Sequence, residues 1–522
     1  MGRRSAAALA GLLAAAAPAS AQTLTMAGSA PITSIDPHYH TFTPNQSVDA
    51  HLFEPLLDMD AASRPIAALA ASWKLVDDKT WEFKLRPGVT FHDGAAFTAE
   101  DVAYSIARIP TVPNSPGSFV IYIKPISQVE VIDPLTIRLH TGSVYPLLPI
   151  DITQVFIIPH GLGAAPLTED FNSGRAAIGT GPFKLVAYRS GDRVEMQRFD
   201  GYWGRKPFWE KVSYRIIPND GARTASLLSG DVDFIEAVPT TDAVKLRQNP
   251  KVRLEEIVGL RLIFLGLDEA RTGPSPFVTG PDGEALDRNP LRDLRVRQAL
   301  SIAINRPAIV ERVMEGAAIP AGQFLPPGSY SYVPDLPPPG FDPAHAKALL
   351  AEAGYPKGFR ITLHGPNDRY VNDSKIIQSI GQMWSRIGVQ TTVEGLTWPS
   401  YVGHANKRDY SAFLVGWGSS SGEASSPLRA FIATTDPAKG WGAVNRGGYS
   451  NAEVDNLLGE ALATVGDAAR EQLLQQSTRL AMQDVAIIPL HDQKNVWGMR
   501  AGLAYVGRTD ETSRAQDVRP VR

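Results

Sequence analysis

Gly418-Ser419-Ser420-Ser421-Gly422 spells G-x-S-x-G, the turn on which serine hydrolases present a nucleophile, here Ser420. That turn needs a strand before it and a long buried helix after it. Phe413–Trp417 supplies the strand, but Glu423-Ala424-Ser425-Ser426-Pro427 follows, polar and broken by proline. A hydrolase using Ser420 is therefore the remote alternative, and no residue is assigned a catalytic role. Three of the ten histidines, His38, His40 and His51, fall close together, and imidazoles suit nickel or copper. Nothing beside them completes a ligand spacing, so no metal or other cofactor is expected. Asp231 and Asp233 sit two apart on an extended segment, which fits a helix-to-strand turn better than an acid/base pair. Gly179-Thr180-Gly181-Pro182 admits neither a P-loop nor G-x-G-x-x-G, and Pro182 lacks the N–H of a phosphate cradle. That block is expected to be structural.

The chain contains no cysteine, which excludes disulfides, thiolate metal sites, a cysteine nucleophile and a lipid-carrying N-terminal cysteine. Residues 1–21 read as an export leader: Arg3-Arg4 is a basic head, Ala6–Ala17 an apolar core and Ala19-Ser20-Ala21 a cleavage site. Cleavage after Ala21 is expected, by the Sec route. The twin arginines point only weakly to Tat, because the hydrophobic residue and lysine that usually follow are missing. The remaining 501 residues hold no apolar run long enough to span a membrane. Export without an anchor implies the periplasm. The formal charge of −3 favours neither nucleic acid nor an anionic membrane.

The elements that would position a site follow from local patterns. Trp81, Phe83 and Leu85 alternate with Glu82, Lys84 and Arg86, the period of a half-buried strand. Pro87-Gly88 turns, Val89 and Phe91 resume the alternation, and His92-Asp93-Gly94 turns again. Thr98 with Asp101 caps a helix running to Arg108, before Pro110. Strands are expected at Leu24–Ala27, Ile126–Ile132, Thr136–Leu139, Leu262–Leu267 and Ile487–Leu490. Helices are expected at Asn45–Leu57, Arg295–Ile304, Lys347–Gly354 and Lys375–Ile387, with another capped by Ser450 and Glu453. Helices and strands alternate without a repeat, which implies an α/β protein of two lobes, and ligand sites in such proteins sit in crevices at strand ends or between domains.

Ala71-Ser72-Trp73, Thr80–Val89, Phe91–Gly94 and Thr98–Val102 closely resemble the signature of a known family. It is the extracellular solute-binding proteins of dipeptide and oligopeptide ABC importers, family 5. Gly179–Leu185 with Tyr202-Trp203-Gly204, and Arg295–Arg306, resemble two further blocks of it, with Asn305 where aspartate is common. The resemblance covers nearly the whole chain after the leader. It implies a type II periplasmic binding protein: lobe I from 22–56, 179–268 and 487–522, an extra subdomain from 57–178, and lobe II from 269–486. It also implies a monomer that binds a small solute in the interlobe cleft and delivers it to a membrane permease.

In the resembled family the loop after the Gly-Trp strand lines the cleft, and in peptide binders an aspartate there holds the ligand's ammonium. A charge in a closed cleft requires such a partner. Here Ser419, Ser420 and Ser421 occupy that loop and Glu423 is its one acid. Two ligand readings stay open. A short peptide would place its ammonium on Glu423 and its carboxylate on Arg261 or Arg429, against Trp398, Tyr401 and Trp417. A sugar-like, opine-like or nickel-chelate solute would use the serine hydroxyls. Asn45, at the head of its helix, completes the candidate set.

Overall fold

A computed structural model describes residues 22–163, 166–419 and 421–521. The expected leader over 1–21, and Ser420, lie outside the described residues. A mixed twelve-stranded sheet runs through the molecule. One half is built from Thr23–Gly28, flanked in parallel by Lys211–Ile216 and Phe234–Ile235, with Arg193–Arg198 and Phe183–Arg189 beyond. The other half is built from Val278–Thr279, Phe359–Pro366, Val389–Leu396 and Ala412–Gly418. Between them lie the two longest strands, Val252–Leu267 and Ile488–Arg500, paired antiparallel. The first faces the core of one half near Leu254 and the core of the other at Ile263 and Leu265.

Reading Leu262–Leu267 as a complete strand captures only its apolar end. The sequence put a domain crossing near Asp268, and this strand, which ends at Leu267, packs against both cores. Val258 pairs with Lys494 and Leu262 with Asp492, so four residues advance on one strand against two on the other. The excess is a bulge at Gly259-Leu260-Arg261, a device that bends a strand and re-aims its side chains. Arg261 owes its place at the junction of the halves to that bulge.

The strand and the helix read between Trp81 and Arg108 form, but not the hairpin through Pro87-Gly88: Val89 and Phe91 do not pair back on Trp81–Leu85, and Thr90 bridges Ala96 instead. Thr80–Leu85 joins Ala70–Asp77, Thr136–Thr141 and Ile126–Asp133 in a separate four-stranded antiparallel sheet. Phe83, Phe91, Val102 and Ile137 fill its core. The helix spans Ala99–Arg108, and the Thr98 backbone N–H donates to Asp101 Oδ2 at 2.7 Å. Gly179 and Gly181 are glycine for space. A Cβ on Gly179 would stand 2.0 Å from the Leu52 carbonyl oxygen, and one on Gly181 2.6 Å from that of His51. The block therefore seals against the end of the helix Thr43–Leu52. Asp231 and Asp233 do flank a helix-to-strand turn: Gly230 has φ 85° and Asp233 accepts from the Thr25 backbone N–H at 2.8 Å. One cap moves by a residue. Asn451, not Ser450, accepts from the Glu453 N–H at 2.9 Å and starts the helix Ala452–Ala463.

Candidate ligand-binding cleft

Three cavities meet where the halves of the sheet join. The largest, about 590 Å³, has Ser29, Thr43 and Glu236 on one side, residues 368–372 on the other, and residues 493–497 as its floor. A second, about 300 Å³, opens into the second half between Trp398, Trp417, Phe264 and Phe431. A third, about 210 Å³, reaches toward the four-stranded sheet past Glu54 and Asp58. Arg369 and Tyr370 line the first two, Arg261 and Gly418 the last two, and Glu511 the first and third.

The bulge at 259–261 aims Arg261 at Glu511, which accepts from its Nε and Nη2 at 2.8 and 3.1 Å. This forked pair raises the arginine's pKa and occupies both carboxylate oxygens. Glu511 holds φ 68°, a backbone state uncommon outside glycine, which fixes its side chain over the junction. Arg369 differs. It follows the strand Phe359–Pro366, and its guanidinium lies 5.2 Å from the Tyr370 ring and 5.5 Å from the Trp398 ring. Among the described residues no carboxylate or carbonyl accepts from it. Its side chain is exposed to the cavity, and partial desolvation holds its pKa below the usual arginine value, with Arg261 adding repulsion and Tyr370, Glu511 and Asp373 pulling the other way. Arg446, on the second cavity, donates twice to the Asn406 side-chain oxygen and meets no acid there. The second cavity is thus cationic with aromatic walls, a setting suited to a carboxylate on an organic body.

Of the residues singled out from the sequence, Arg261, Trp398, Trp417 and Ser419 line these cavities. Trp417 donates its indole N–H to Ser426 Oγ at 3.1 Å, fixing the ring as a wall. The others lie elsewhere. Tyr401 is fully buried and donates to the Leu414 carbonyl at 2.5 Å. Asn45 is fully buried and ties down Thr33 and Ser34. Ser421 lies 3.5 Å from the Glu423 carbonyl, which also accepts from Ser419 Oγ at 2.9 Å. Glu423 is 2% exposed, and its carboxylate is held by both terminal nitrogens of Arg470 and by Ser425. Its acid is spent inside the fold and does not face the cleft. Arg429 approaches Tyr145 at 3.5 Å, across the rim, on the four-stranded-sheet side.

The three histidines do not converge. His38 bonds the Phe156 carbonyl at 2.8 Å, His40 meets Thr33 at 3.2 Å, and His51 accepts from the Ala515 N–H at 2.9 Å. Among the described residues no group of three His, Asp or Glu is placed to hold a metal. Among them, too, no helix is long and apolar enough to cross a membrane. Arg369, Tyr370, Arg446 and Glu511 were missed from sequence. The one local signal was an Arg-Tyr pair in the loop after the strand Phe359–Pro366.

The profile described as bacterial extracellular solute-binding proteins, family 5 (Middle), matches residues 64–439. The glutathione-binding protein GsiB of Shigella boydii serotype 4 (strain Sb227) is 28% identical, covering 89% of this chain and 88% of that protein. The periplasmic binding protein DppA of Helicobacter pylori, solved with the peptide STSA, superposes with a TM-score of 0.76 at 21% identity, over 95% of this chain and 98% of that one. AgaA of A. tumefaciens R10, solved with agropinic acid, superposes with a TM-score of 0.73 at 23% identity, over 96% and 99%. The last two share the two-lobed periplasmic binding-protein fold.

Proposed function

Because the chain belongs to the bacterial extracellular solute-binding proteins of family 5, transport binding proteins and not enzymes, we propose that it captures a short peptide or peptide-like solute by its carboxylate in the cleft and delivers it to an ABC permease. The observation that carries this reading is the unpartnered Arg369 guanidinium between Tyr370 and Trp398. A guanidinium that faces the cleft with no anion on it can take a ligand carboxylate through two parallel hydrogen bonds. Trp417 and Phe431 then cover the apolar part of the solute. The relative that binds glutathione and the structural neighbour that holds STSA support a peptide. An opine-like carboxylate is the second reading, favoured because Glu423 is spent on Arg470, which leaves the serine loop without a free acid.

In the same reading, residues 1–21 are a leader removed after Ala21, the mature protein is periplasmic without a lipid anchor, and it works as a monomer. The leader pattern supports the export and the absence of cysteine the missing lipid anchor. A thermal-shift screen of dipeptides, tripeptides, glutathione, opines and sugars tests the ligand class. Carboxylate-bearing solutes should raise the melting point, and Arg369→Gln should weaken them about tenfold to a hundredfold. Hits confined to neutral sugars, or full affinity in Arg369→Gln, would sink the reading.

A further inference from the structure

The second cavity is lined by three arginines, Arg261, Arg369 and Arg446, and among the described residues by no acid. Glu511, on the two adjoining cavities, is taken up by Arg261. The acids closest to Arg369 along the chain are turned to backbone. Asp368 accepts from the Trp398 N–H at 2.7 Å, and Asp373 from the N–H groups of Arg369 and Tyr370, both at 3.0 Å. The Arg446 guanidinium donates through Nε and Nη2 to Asn406, a neutral oxygen, at 3.0 and 2.9 Å. Its Nη1 has no acceptor among the described residues. Two positive charges are therefore left over at one cavity.

Arg446 is presented by a pinned loop. The buried Asn445 donates to the carbonyls of Ile432, Ala433 and Tyr449 at 3.4, 3.0 and 2.8 Å, and accepts from the Gly448 N–H at 2.9 Å. Gly447 packs on the end of the long strand. Its carbonyl accepts from the Glu269 N–H at 2.8 Å, and a Cβ on it would stand 2.4 Å from the Leu267 carbonyl oxygen. Partial desolvation lowers the Arg446 pKa, with the phenols of Tyr401 and Tyr370, rather than a carboxylate, pulling the other way. The two free arginines also differ in depth. Arg369 and Tyr370 line both the first and the second cavity, whereas Arg446, of the three cavities, lines the second alone. A cleft walled by one sign of charge concentrates solutes of the opposite sign, and each guanidinium offers a planar fork that matches a carboxylate.

We propose that Arg446 is a second acid-binding position, so that the solute carries two carboxylates, one on Arg369 and one on Arg446. This rests on the carboxylate reading of Arg369 and adds the chemical class of the solute: an acidic dipeptide or an opine-like dicarboxylate, and not a peptide with neutral side chains. A single carboxylate on Arg369 leaves Arg446 facing the aromatic walls with no anion, and a second one answers it. An acid and its amide differ in charge and scarcely in shape, so the choice between them falls to Arg446 and not to the size of the cavity.

The test sets acids against their amides by titration calorimetry: Ala-Glu against Ala-Gln, Glu-Ala against Gln-Ala, and N-(1-carboxyethyl)-phenylalanine, an opine with two carboxylates, against its monoamides. On the unaltered protein at least one acid should bind about tenfold tighter than its amide or more, and whether a peptide or the opine does so identifies the source. Arg446→Gln should bring that acid down to the affinity of its amide. Arg369→Gln should weaken acid and amide alike. Equal affinity of acid and amide in every pair, or a preference for the acid that survives Arg446→Gln, overturns the second position and leaves the carboxylate reading standing. Failure of every acid to bind overturns both. The comparison on the unaltered protein needs no variant, so it decides the matter even if Arg446→Gln fails to fold.

Discussion

Glu423 was the natural ammonium anchor by sequence, and what displaced it is an arginine 47 residues further on. Arg470 and Glu423 have side chains 6% and 2% exposed, so each neutralises the other in a dry place, with Ser425 also on the carboxylate and Tyr330 against the guanidinium. Removing one member of such a pair costs about 3–5 kcal/mol, because the survivor stays buried and charged. Glu423→Gln should therefore lower the stability to denaturant by about 3 kcal/mol while leaving the affinity of the folded fraction unchanged; a selective loss of affinity at constant stability would return Glu423 to the cleft. Glu54 makes a different prediction. Burial pushes its carboxyl up to about 7, against the donors Trp203, Tyr202 and Thr180. Its pKa is raised by folding, so the stability it contributes is complete below about 4.5 and is lost as pH rises through about 7, by roughly 3 kcal/mol. Glu54→Gln mimics the protonated acid. The stability of the unaltered protein minus that of the variant should fall across that window and stay level above it, and a flat difference curve would refute the assignment.

What was legible at the scale of elements was local. Alternation at Trp81–Leu85 and the Thr98–Asp101 cap need only neighbouring residues, and they form in place. The helix cap at 450 slipped by one residue because Asn451 offers a shorter reach to the same N–H groups as Ser450. The strand Val252–Leu267 was half seen because its first half is set by pairing with residues more than 230 positions away, not by its own apolar pattern. The cleft was largely hidden for the same reason: Glu236, Arg261, Arg369, Asn495 and Glu511 come from five separate stretches. The Gly179–Leu185 block was rightly read as structural, and its spacing now has a steric cause. Gly179→Ala would force a methyl against the rigid carbonyl of Leu52, which is backbone and cannot swing aside. The expected loss is about 3 kcal/mol or more in a denaturant melt. A variant as stable as the parent would mean that the helix Thr43–Leu52 does not pack there.

At the scale of the molecule, two antiparallel strands carry the chain between the halves, and their bulge at 259–261 is where a rotation between the halves is absorbed most easily. The second half also touches the first half and the four-stranded-sheet unit across the rims of the cleft. Asn372 donates to Thr240 at 3.1 Å, and Arg429 reaches Tyr145 at 3.5 Å, where Tyr145 in turn donates to Asp151 at 2.6 Å. A cleft that opens would lose contacts of this kind and one that closes on its solute would keep them, so they add little to the fold of either half. A long, part-buried hydrogen bond of this kind contributes roughly 0.5–1 kcal/mol. Arg429→Ala should accordingly weaken a solute about two- to fivefold while leaving the ligand-free melting point in place. The loss should vanish in a Tyr145→Phe background, because the two changes remove the same contact. Saturation with a solute at 100 times its dissociation constant should add about 2.7 kcal/mol to the folded state and reduce the radius of gyration in small-angle scattering. Arg429 as a direct ligand contact predicts the opposite pattern: a loss that persists in Tyr145→Phe and depends on which solute is bound. Scattering that does not change on saturation would mean that the solute enters a cleft already shut.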